Sequence, residues 1–175
     1  MYDVIVSGAG PSGSYSAYLC AKRGLSTLLI EKSEMPRKKC CGGGVLRRAL
    51  GRLEFEIPDS LIEKRIVGAA IISERSRNVV KSNDTMAITV RREDLDAFLA
   101  KKAEAAGAEL LEGTAVEDVS QDEDGVSIRT RGGELTSRAL IIAEGINSRS
   151  AKNLMGPYER RSSATGNAEA LETDG

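Results

Sequence analysis

The sequence predicts an α/β fold in which a parallel sheet begins with a strand, a glycine-rich turn, a helix and a second strand, with an antiparallel β segment inserted later in the chain. Residues 3–7 (DVIVS) and 25–31 (LSTLLIE) are short apolar runs rich in β-branched or leucine side chains, as expected of buried strands. Residues 8–13 (GAGPSG) lie between them and precede a helix predicted over residues 14–23. This arrangement is typical of a Rossmann-like, dinucleotide-binding domain.

The GAGPSG turn has the residue types that a pyrophosphate site needs. Gly8 permits a tight turn, Gly10 lets the backbone approach the phosphates, and Gly13 lets the helix pack closely on the strand. The helix presents N–H groups and the positive end of its dipole to the phosphates. Glu31 ends the second strand, where a carboxylate accepts hydrogen bonds from ribose hydroxyls and repels a 2′-phosphate. We therefore expect a bound dinucleotide other than NADP.

The rest of the chain predicts one continuous domain over residues 1–156, followed by a polar tail over residues 157–175 that we expect to be truncated. Its antiparallel segment covers about residues 66–91, and two hairpins cover about residues 117–137. The clearest helix is predicted over residues 92–106, ended by a glycine. Further strands are predicted at residues 67–73, 79–82, 86–90, 109–112, 115–118, 134–136 and 139–143, the last of them buried.

The bulk composition excludes several functional classes. The net charge is −1 and 3% of the residues are aromatic, so neither a basic surface nor stacking platforms for nucleic acid are expected. The chain has no histidine, which excludes histidine-based triads, metal sites and acid–base catalysis. No apolar run approaches a membrane span, no secretory signal opens the chain, and the three cysteines are expected to be reduced thiols of a cytoplasmic protein.

Three further motifs leave alternatives open. Residues 36–44 (PRKKCCGGG) predict either a loop that approaches a ligand or a merely flexible loop, and the cysteine spacing does not suit zinc, so no metal is expected. Arg92 opens the long helix, where a cation opposes the helix dipole; it either holds an anion or belongs to a solvated charge run. Glu144 and Gly145 follow a strand end, a place for ligands in open sheets but also for ordinary turns.

Together these segments resemble the FAD-dependent geranylgeranyl reductase family, which includes archaeal digeranylgeranylglycerophospholipid reductases and the geranylgeranyl diphosphate reductases of chlorophyll synthesis. The resemblance rests on YDVIVSGAGPSGS, EK, PRKKCCGGG, RREDLDAFL and AEGINS, and it extends over residues 2–156. The CGGG loop is the most discriminating part, because the related aromatic hydroxylases usually carry a different loop there. The resemblance implies an FAD-binding domain of the glutathione-reductase and aromatic-hydroxylase type, of which this chain is a truncated N-terminal part.

The resemblance also implies a set of residues that contact FAD. The pyrophosphate would lie against Gly8, Gly10, Ser12 and Gly13, the adenosine ribose against Glu31, the adenine against the backbone of Val116, and the flavin against the loop of Cys41, Gly42 and Gly44. Further cofactor contacts would come from Pro11, Lys32, Arg92, Glu144 and Gly145. Glu144 stands where the family usually has aspartate. Cys41 is the candidate catalytic residue, as an acid or a positioning group, because the basic residues beside it favour a reactive thiol.

The implied reaction is the saturation of C=C bonds in geranylgeranyl chains of isoprenoid precursors. It requires an isoprenoid lipid substrate and an external electron donor, such as NADPH or a ferredoxin-like protein, with transient contact to a membrane. Two alternatives stay open: an FAD-dependent monooxygenase of the aromatic hydroxylase group, and a truncated FAD-binding fragment without activity.

Overall fold

The computed structural model describes residues 1–155, and the predicted polar tail of residues 157–175 lies outside the described residues. The described chain forms two compact units. The first unit combines residues 1–37 with residues from 96 onward, and the second consists of residues 38–95. The domain boundary predicted near residue 156 stays a prediction.

The secondary structure alternates early in the chain and is mainly β in the middle. In chain order the strands are β1 (Tyr2–Ser7), β2 (Thr27–Ile30), β3 (Gly44–Leu46), β4 (Lys64–Ile66), β5 (Gly68–Ile72), β6 (Arg77–Lys81), β7 (Ala87–Thr89), β8 (Glu109–Leu111), β9 (Asp118–Gln121), β10 (Val126–Thr130) and β11 (Gly133–Ile142). The helices are α1 (Pro11–Lys22), α2 (Arg47–Leu50), α3 (Arg92–Ala105) and α4 (Arg149–Met155), with one 3₁₀ turn at Asp59–Leu61.

The first unit is built on a six-stranded mixed sheet with the order β8-β2-β1-β11-β10-β9. Strands β8, β2, β1 and the end of β11 run parallel, whereas β9, β10 and the start of β11 pair antiparallel. This sheet confirms the predicted α/β fold with a strand–turn–helix–strand start. The two predicted hairpins are also found, as the pairs β9–β10 and β10–β11.

Strand β11 is one continuous strand where the sequence predicted two. Residues 133–137 pair antiparallel with β10, and residues 137–142 pair parallel with β1. The polar residues at 136–138 interrupt the apolar pattern, but backbone pairing does not require apolar side chains, so the strand continues through them. The predicted buried run at 139–143 is only partly buried, with Leu140, Ile141 and Ile142 of intermediate exposure.

Both faces of β1 are covered by apolar side chains. Val4 and Val6 pack with small residues of α1 and α3 on one face, and Ile5 packs with residues of β2, β9 and β10 in a second cluster. Because alternate residues of a strand point to opposite faces, this strand is buried on both sides, as its continuous apolar run predicts. The two clusters comprise Val4, Val6, Ala9, Ala17, Ala21, Leu29, Ala100, Ala103 and Ala108, and Ile5, Leu28, Ile30, Val119, Val126 and Ile128.

The second unit is an antiparallel β segment, as predicted. Strands β3, β7 and β4 form one small sheet, and β5 and β6 form a separate hairpin. The predicted strands at 67–73, 79–82 and 86–90 correspond to β5, β6 and β7. Strands β3 (GVL) and β4 (KRI) were not predicted, because Gly44 ends the glycine run that was interpreted as a loop and two of the three residues of β4 are charged.

Two further boundaries differ from the prediction. Helix α1 begins at Pro11 rather than Ser14, since proline fits the first helical position, where its missing N–H leaves no hydrogen bond unmade. Residues 115–117 form no strand and lead into β9. Within residues 1–155, no helix is long and apolar enough to cross a membrane.

Candidate functional site

The predicted dinucleotide residues of the first unit lie along one edge of its sheet. Ser7 at the end of β1 is opposite Ile30 of β2 on one side and Ile142 of β11 on the other. Because these three strands run parallel, the segments that follow them leave the sheet at the same edge. The turn after β1, Glu31 after β2 and Glu144 after β11 are therefore brought together there.

The turn after β1 is a place where only glycine fits. Gly8 has a φ of 102°, and a Cβ atom on it would lie 2.6 Å from the Ala143 carbonyl oxygen. A Cβ on Gly13 would lie 1.8 Å from the Gly8 carbonyl oxygen, because α1 crosses directly over the turn. This geometry agrees with the two roles that the sequence predicted for these glycines, a tight turn and close helix packing. Gly10 has an extended backbone at the helix N-cap.

The N-terminus of α1 is open to an anion. Gly10 caps the helix without a side-chain hydrogen bond, Pro11 occupies the first helical position, and the first turn contains no acidic residue. The N–H groups of the first helical turn lack partners within the helix, and the helix dipole places partial positive charge there. Ser12 at this turn is exposed. Such a terminus suits a phosphate group.

Glu31 is buried and holds the turn against the end of β2. Its Oε2 accepts a hydrogen bond of 2.9 Å from the Ala9 N–H, and its Oε1 accepts one of 3.2 Å from the Ser33 N–H. A carboxylate has about four acceptor positions, so these two bonds leave room for ribose hydroxyls. The neighbouring Lys32 is exposed, and Val116, in the loop between β8 and β9, packs at the edge of the cluster around Ile5.

Two charged residues beside Glu31, Arg37 and Asp96, were not predicted from the sequence as members of the site. The Arg37 Nε lies 3.3 Å from Glu31 Oε2, and an Arg37 terminal nitrogen lies 3.2 Å from Asp96 Oδ2. Asp96 lies in α3 and its side chain is fully buried. A signal was present in the sequence: Asp96 falls three and four positions before Leu99 and Ala100, which places an acid on the apolar face of the helix.

Glu144 is surrounded by hydrogen-bond donors at the start of α4. Its carboxylate accepts hydrogen bonds from the hydroxyls of Ser7 at 2.6 Å, Ser148 at 2.7 Å and Ser150 at 2.5 Å, and from the N–H groups of Arg149 and Ser150. Burial raises the pKa of Glu144, but the bonds from Ser150, Ser7 and Ser148 and the Ser150 N–H outweigh burial and lower the pKa below 4.5. Gly145 follows with a φ of 82°. The serine partners were not predicted.

Four candidate residues belong to the second unit. Cys41, Gly42 and Gly44 are exposed, and Arg92 begins α3 with intermediate exposure. A Cβ atom on Gly42 or Gly44 would meet nothing within 4 Å, whereas Gly43 has a φ of 64° and a Cβ there would lie 2.1 Å from the Val90 carbonyl oxygen. The middle glycine is thus required by the backbone, and the open space at its two neighbours is compatible with a ligand.

The comparison with known families decides which dinucleotide this fold serves. A family model described as an FAD binding domain matches residues 1–172. The chain belongs to this FAD binding domain family. The cofactor of the domain is FAD, and the glycine turn, the uncapped helix terminus and the spare acceptor positions of Glu31 fit its pyrophosphate and ribose.

Named relatives of this FAD binding domain agree with the resemblance to geranylgeranyl reductases. The geranylgeranyl diphosphate reductase of Rhodobacter capsulatus is 34% identical over 154 residues, covering 84% of this chain and 38% of the relative. Digeranylgeranylglycerophospholipid reductase 2 of Methanosphaera stadtmanae is 29% identical over 157 residues, covering 84% of this chain and 40% of the relative.

A solved structure supports the same assignment. A geranylgeranyl bacteriochlorophyll reductase-like protein from Thermoplasma acidophilum has a TM-score of 0.79 at 29% identity, covering 87% of this chain and 41% of that protein. The FAD binding domain described here therefore spans about 40% of the length of these relatives.

The Glu144 cluster predicts a pH-dependent stability of this FAD binding domain. Glu144→Gln should lower the free energy of unfolding at pH 7 by about 1–2 kcal/mol, because hydrogen bonds to a charged acceptor are lost. The pKa of Glu144 is lower in the folded state than in the unfolded state. The stabilisation by its ionised carboxylate is therefore fully present above pH 4.5 and is lost as the pH falls through the folded-state pKa. In urea denaturation, the difference in the free energy of unfolding between wild type and Glu144→Gln should be smaller at low pH than at pH 7.

A matched control is Glu134→Gln, which changes an exposed carboxylate on β11. It should leave stability within about 0.5 kcal/mol of wild type at both pH values. A loss of unfolding free energy in Glu144→Gln that stays the same across the pH range would contradict the role of the ionised carboxylate.

Proposed function

We propose that this chain is the FAD-binding part of a flavin-dependent reductase that saturates C=C bonds of geranylgeranyl chains in isoprenoid precursors. The observation that carries the proposal is the similarity, across most of the chain, to relatives named as geranylgeranyl and digeranylgeranylglycerophospholipid reductases. The CGGG loop of residues 41–44 supports it, as the part of the resemblance that separates these reductases from hydroxylases. The substrate is a membrane-lipid or chlorophyll-pathway precursor.

In this proposal the residues at the sheet edge hold FAD. Glu31 holds the adenosine ribose, with Lys32 beside it, and the backbone of Val116 lies against the adenine. Further contacts in the first unit are proposed for Gly8, Gly10, Pro11, Ser12, Gly13, Glu144 and Gly145. What supports the roles in this unit is the uncapped helix terminus, the glycine geometry and the two acceptor oxygens of Glu31. For Cys41, Gly42, Gly44 and Arg92, which belong to the second unit, contacts with FAD are proposed from the resemblance alone.

FAD, when bound and reduced, would supply the hydride for one carbon of the double bond, and a group of the protein would supply the proton for the other carbon. An isolated alkene has no carbonyl to polarise, so positioning and the exclusion of water carry much of the catalysis. In a chain without histidine, the Cys41 thiol is the proposed proton donor or positioning group. An external electron donor, NADPH or a ferredoxin-like protein, reduces the flavin again after each reaction. A lipid substrate requires transient contact between this cytoplasmic protein and a membrane.

The test is anaerobic reoxidation of the reduced flavoprotein by a geranylgeranyl lipid. The chain, and in parallel the longest open reading frame that contains it, is purified, its FAD stoichiometry is measured, and the flavin is reduced with dithionite. Addition of the lipid should restore the oxidised flavin spectrum, and mass spectrometry should show the gain of one H₂ per double bond. Reoxidation only by oxygen with hydroxylation of an aromatic compound would favour the monooxygenase, and absence of bound FAD would favour the inactive fragment.

The adjacent cysteines give a matched pair of variants for the proposed proton donor. Cys41→Ser should slow reoxidation by the lipid about 100-fold, in the range of a lost general acid, while FAD stays bound. Cys40→Ser should keep the wild-type rate, because Cys40 stands outside the CGGG segment. Equal rates for both variants and wild type would remove Cys41 from the proposed chemistry.

A further inference from the structure

Arg37 connects two buried carboxylates of the first unit. Its side chain is 14% exposed, that of Glu31 is 4% exposed and that of Asp96 is not exposed, with separations of 3.3 Å and 3.2 Å. By contrast, the ion pair between Arg138 and Asp3 in the same unit is largely exposed on the arginine side. Burying an ion pair loses hydration that the pairing rarely repays in full, so stability is a weak reason for this arrangement. A role in the site is a better one.

The position of Asp96 points to a role as an anchor. It lies on the face of α3 that also carries Leu99, Ala100 and Ala103, all of them buried. Asp96 is therefore held by a helix packed into the core, whereas Arg37 lies in the loop after β2. An ion pair to Asp96 therefore fixes the guanidinium, and with it the surroundings of Glu31.

The contact of Arg37 with Glu31 leaves the carboxylate able to bind a ligand. The buried Arg37 Nε forms no hydrogen bond, although it lies 3.3 Å from Glu31 Oε2. The contact between Arg37 and Glu31 is thus an ion pair without a hydrogen bond from Nε. The carboxylate is held by Arg37 and by the N–H groups of Ala9 and Ser33, while positions for two hydroxyls stay available.

We propose that Arg37 is a positioning residue which, anchored by Asp96, holds the Glu31 carboxylate where the adenosine ribose of FAD binds. The inference rests on the ribose role of Glu31 in the proposed function, and it is independent of the reductase reaction. It also gives a reason for the contact between Arg37 and Asp96, which are far apart in the chain.

The experiment compares two nucleotides that differ only in the ribose hydroxyls, ADP and 2′,3′-dideoxy-ADP, by calorimetric titration of the full 175-residue chain. Wild type should bind ADP about tenfold more tightly than the dideoxy compound, since hydrogen bonds to a carboxylate discriminate at that level. In Arg37→Gln the two affinities should differ by no more than about twofold, because the Glu31 carboxylate is no longer held in the orientation that accepts the ribose hydrogen bonds. Glu31→Gln should reduce it equally, and the double variant should show no further loss.

The ratio separates positioning from a structural role. A residue that only supports the fold would weaken both nucleotides alike and leave the ratio unchanged, which would overturn the proposal. If circular dichroism shows that Arg37→Gln does not fold, the same affinity ratio is measured for Asp96→Asn, in which the new side chain has nearly the same volume as aspartate. Arg138→Gln is the matched control for loss of an arginine ion pair and should keep the wild-type ratio.

The same data distinguish failure of the Glu31 assignment from failure of the inference. A wild-type chain that shows no preference for ADP, or binds neither nucleotide, would overturn the ribose role of Glu31 and the inference together. A wild-type preference that persists in Arg37→Gln and Asp96→Asn would overturn the inference alone and leave Glu31 in place.

Discussion

Gly13→Ala should lower the free energy of unfolding by about 3 kcal/mol and abolish FAD binding. The new Cβ would lie 1.8 Å from the Gly8 carbonyl oxygen and 3.1 Å from the Ala143 Cβ. The first contact is with backbone, so no side chain can move aside and α1 must lift away from the sheet, at the upper end of the cost of overpacking. The helix N-terminus then no longer faces the pyrophosphate position. Urea denaturation and the quenching of FAD fluorescence measure the two effects.

Gly132→Ala is the control for this glycine substitution. A Cβ on Gly132 would have only an ordinary contact of 3.7 Å with the Thr130 hydroxyl, and the residue lies in the turn between β10 and β11. The control should keep stability within about 0.5 kcal/mol of wild type and bind FAD normally. A Gly13→Ala variant that binds FAD like the control would show that close packing of α1 on the turn is not needed for the site.

Leu29→Ala should destabilise the chain by about 2–5 kcal/mol without changing FAD affinity in the folded molecules. Leu29 of β2 is fully buried in the cluster that joins β1, α1 and α3. Removing its side chain forfeits transfer free energy and leaves a cavity that a parallel sheet covered by helices cannot close fully. Glu31, two residues later, is held by its own hydrogen bonds from Ala9 and Ser33, so its position should persist.

Leu25→Ala tests the same chemical change at an exposed position, since Leu25 is 38% exposed just before β2. Leu25→Ala should lower the free energy of unfolding by less than about 1 kcal/mol. Equal losses for the two leucine variants would contradict the assignment of Leu29 to the core. A fall in FAD affinity for Leu29→Ala, measured below its unfolding transition, would show that the core and the site are coupled through β2.

The start of the fold could be predicted because its signals are local. The apolar run of β1, the glycines of the turn and the final acid of β2 each act on residues adjacent in the chain, so their spacing carries the information. Gly107 has a φ of 105° after α3, as its position in the pattern predicts. The resemblance then pointed to FAD, which the family match confirms.

The parts that could not be predicted depend on partners far apart in the chain. Strands β3 and β4 exist because β7 pairs with both, and neither has a pattern of its own. In the CGGG loop the glycine that the backbone requires is Gly43, because of its closeness to Val90, whereas the sequence pointed to the glycines on either side of it. Such contacts carry no signature in the spacing of residues.

By itself, the sequence determined that this chain begins with a dinucleotide-binding α/β unit, because a glycine turn between two buried strands has few other stable conformations. Only the tertiary structure decided how the charged residues of the site are matched. Arg37 meets Asp96 across 59 positions of the chain, and Ser7 donates to Glu144 across 137. The physical reason is that a buried charge is stable only with partners, and the fold alone determines which distant residues supply them.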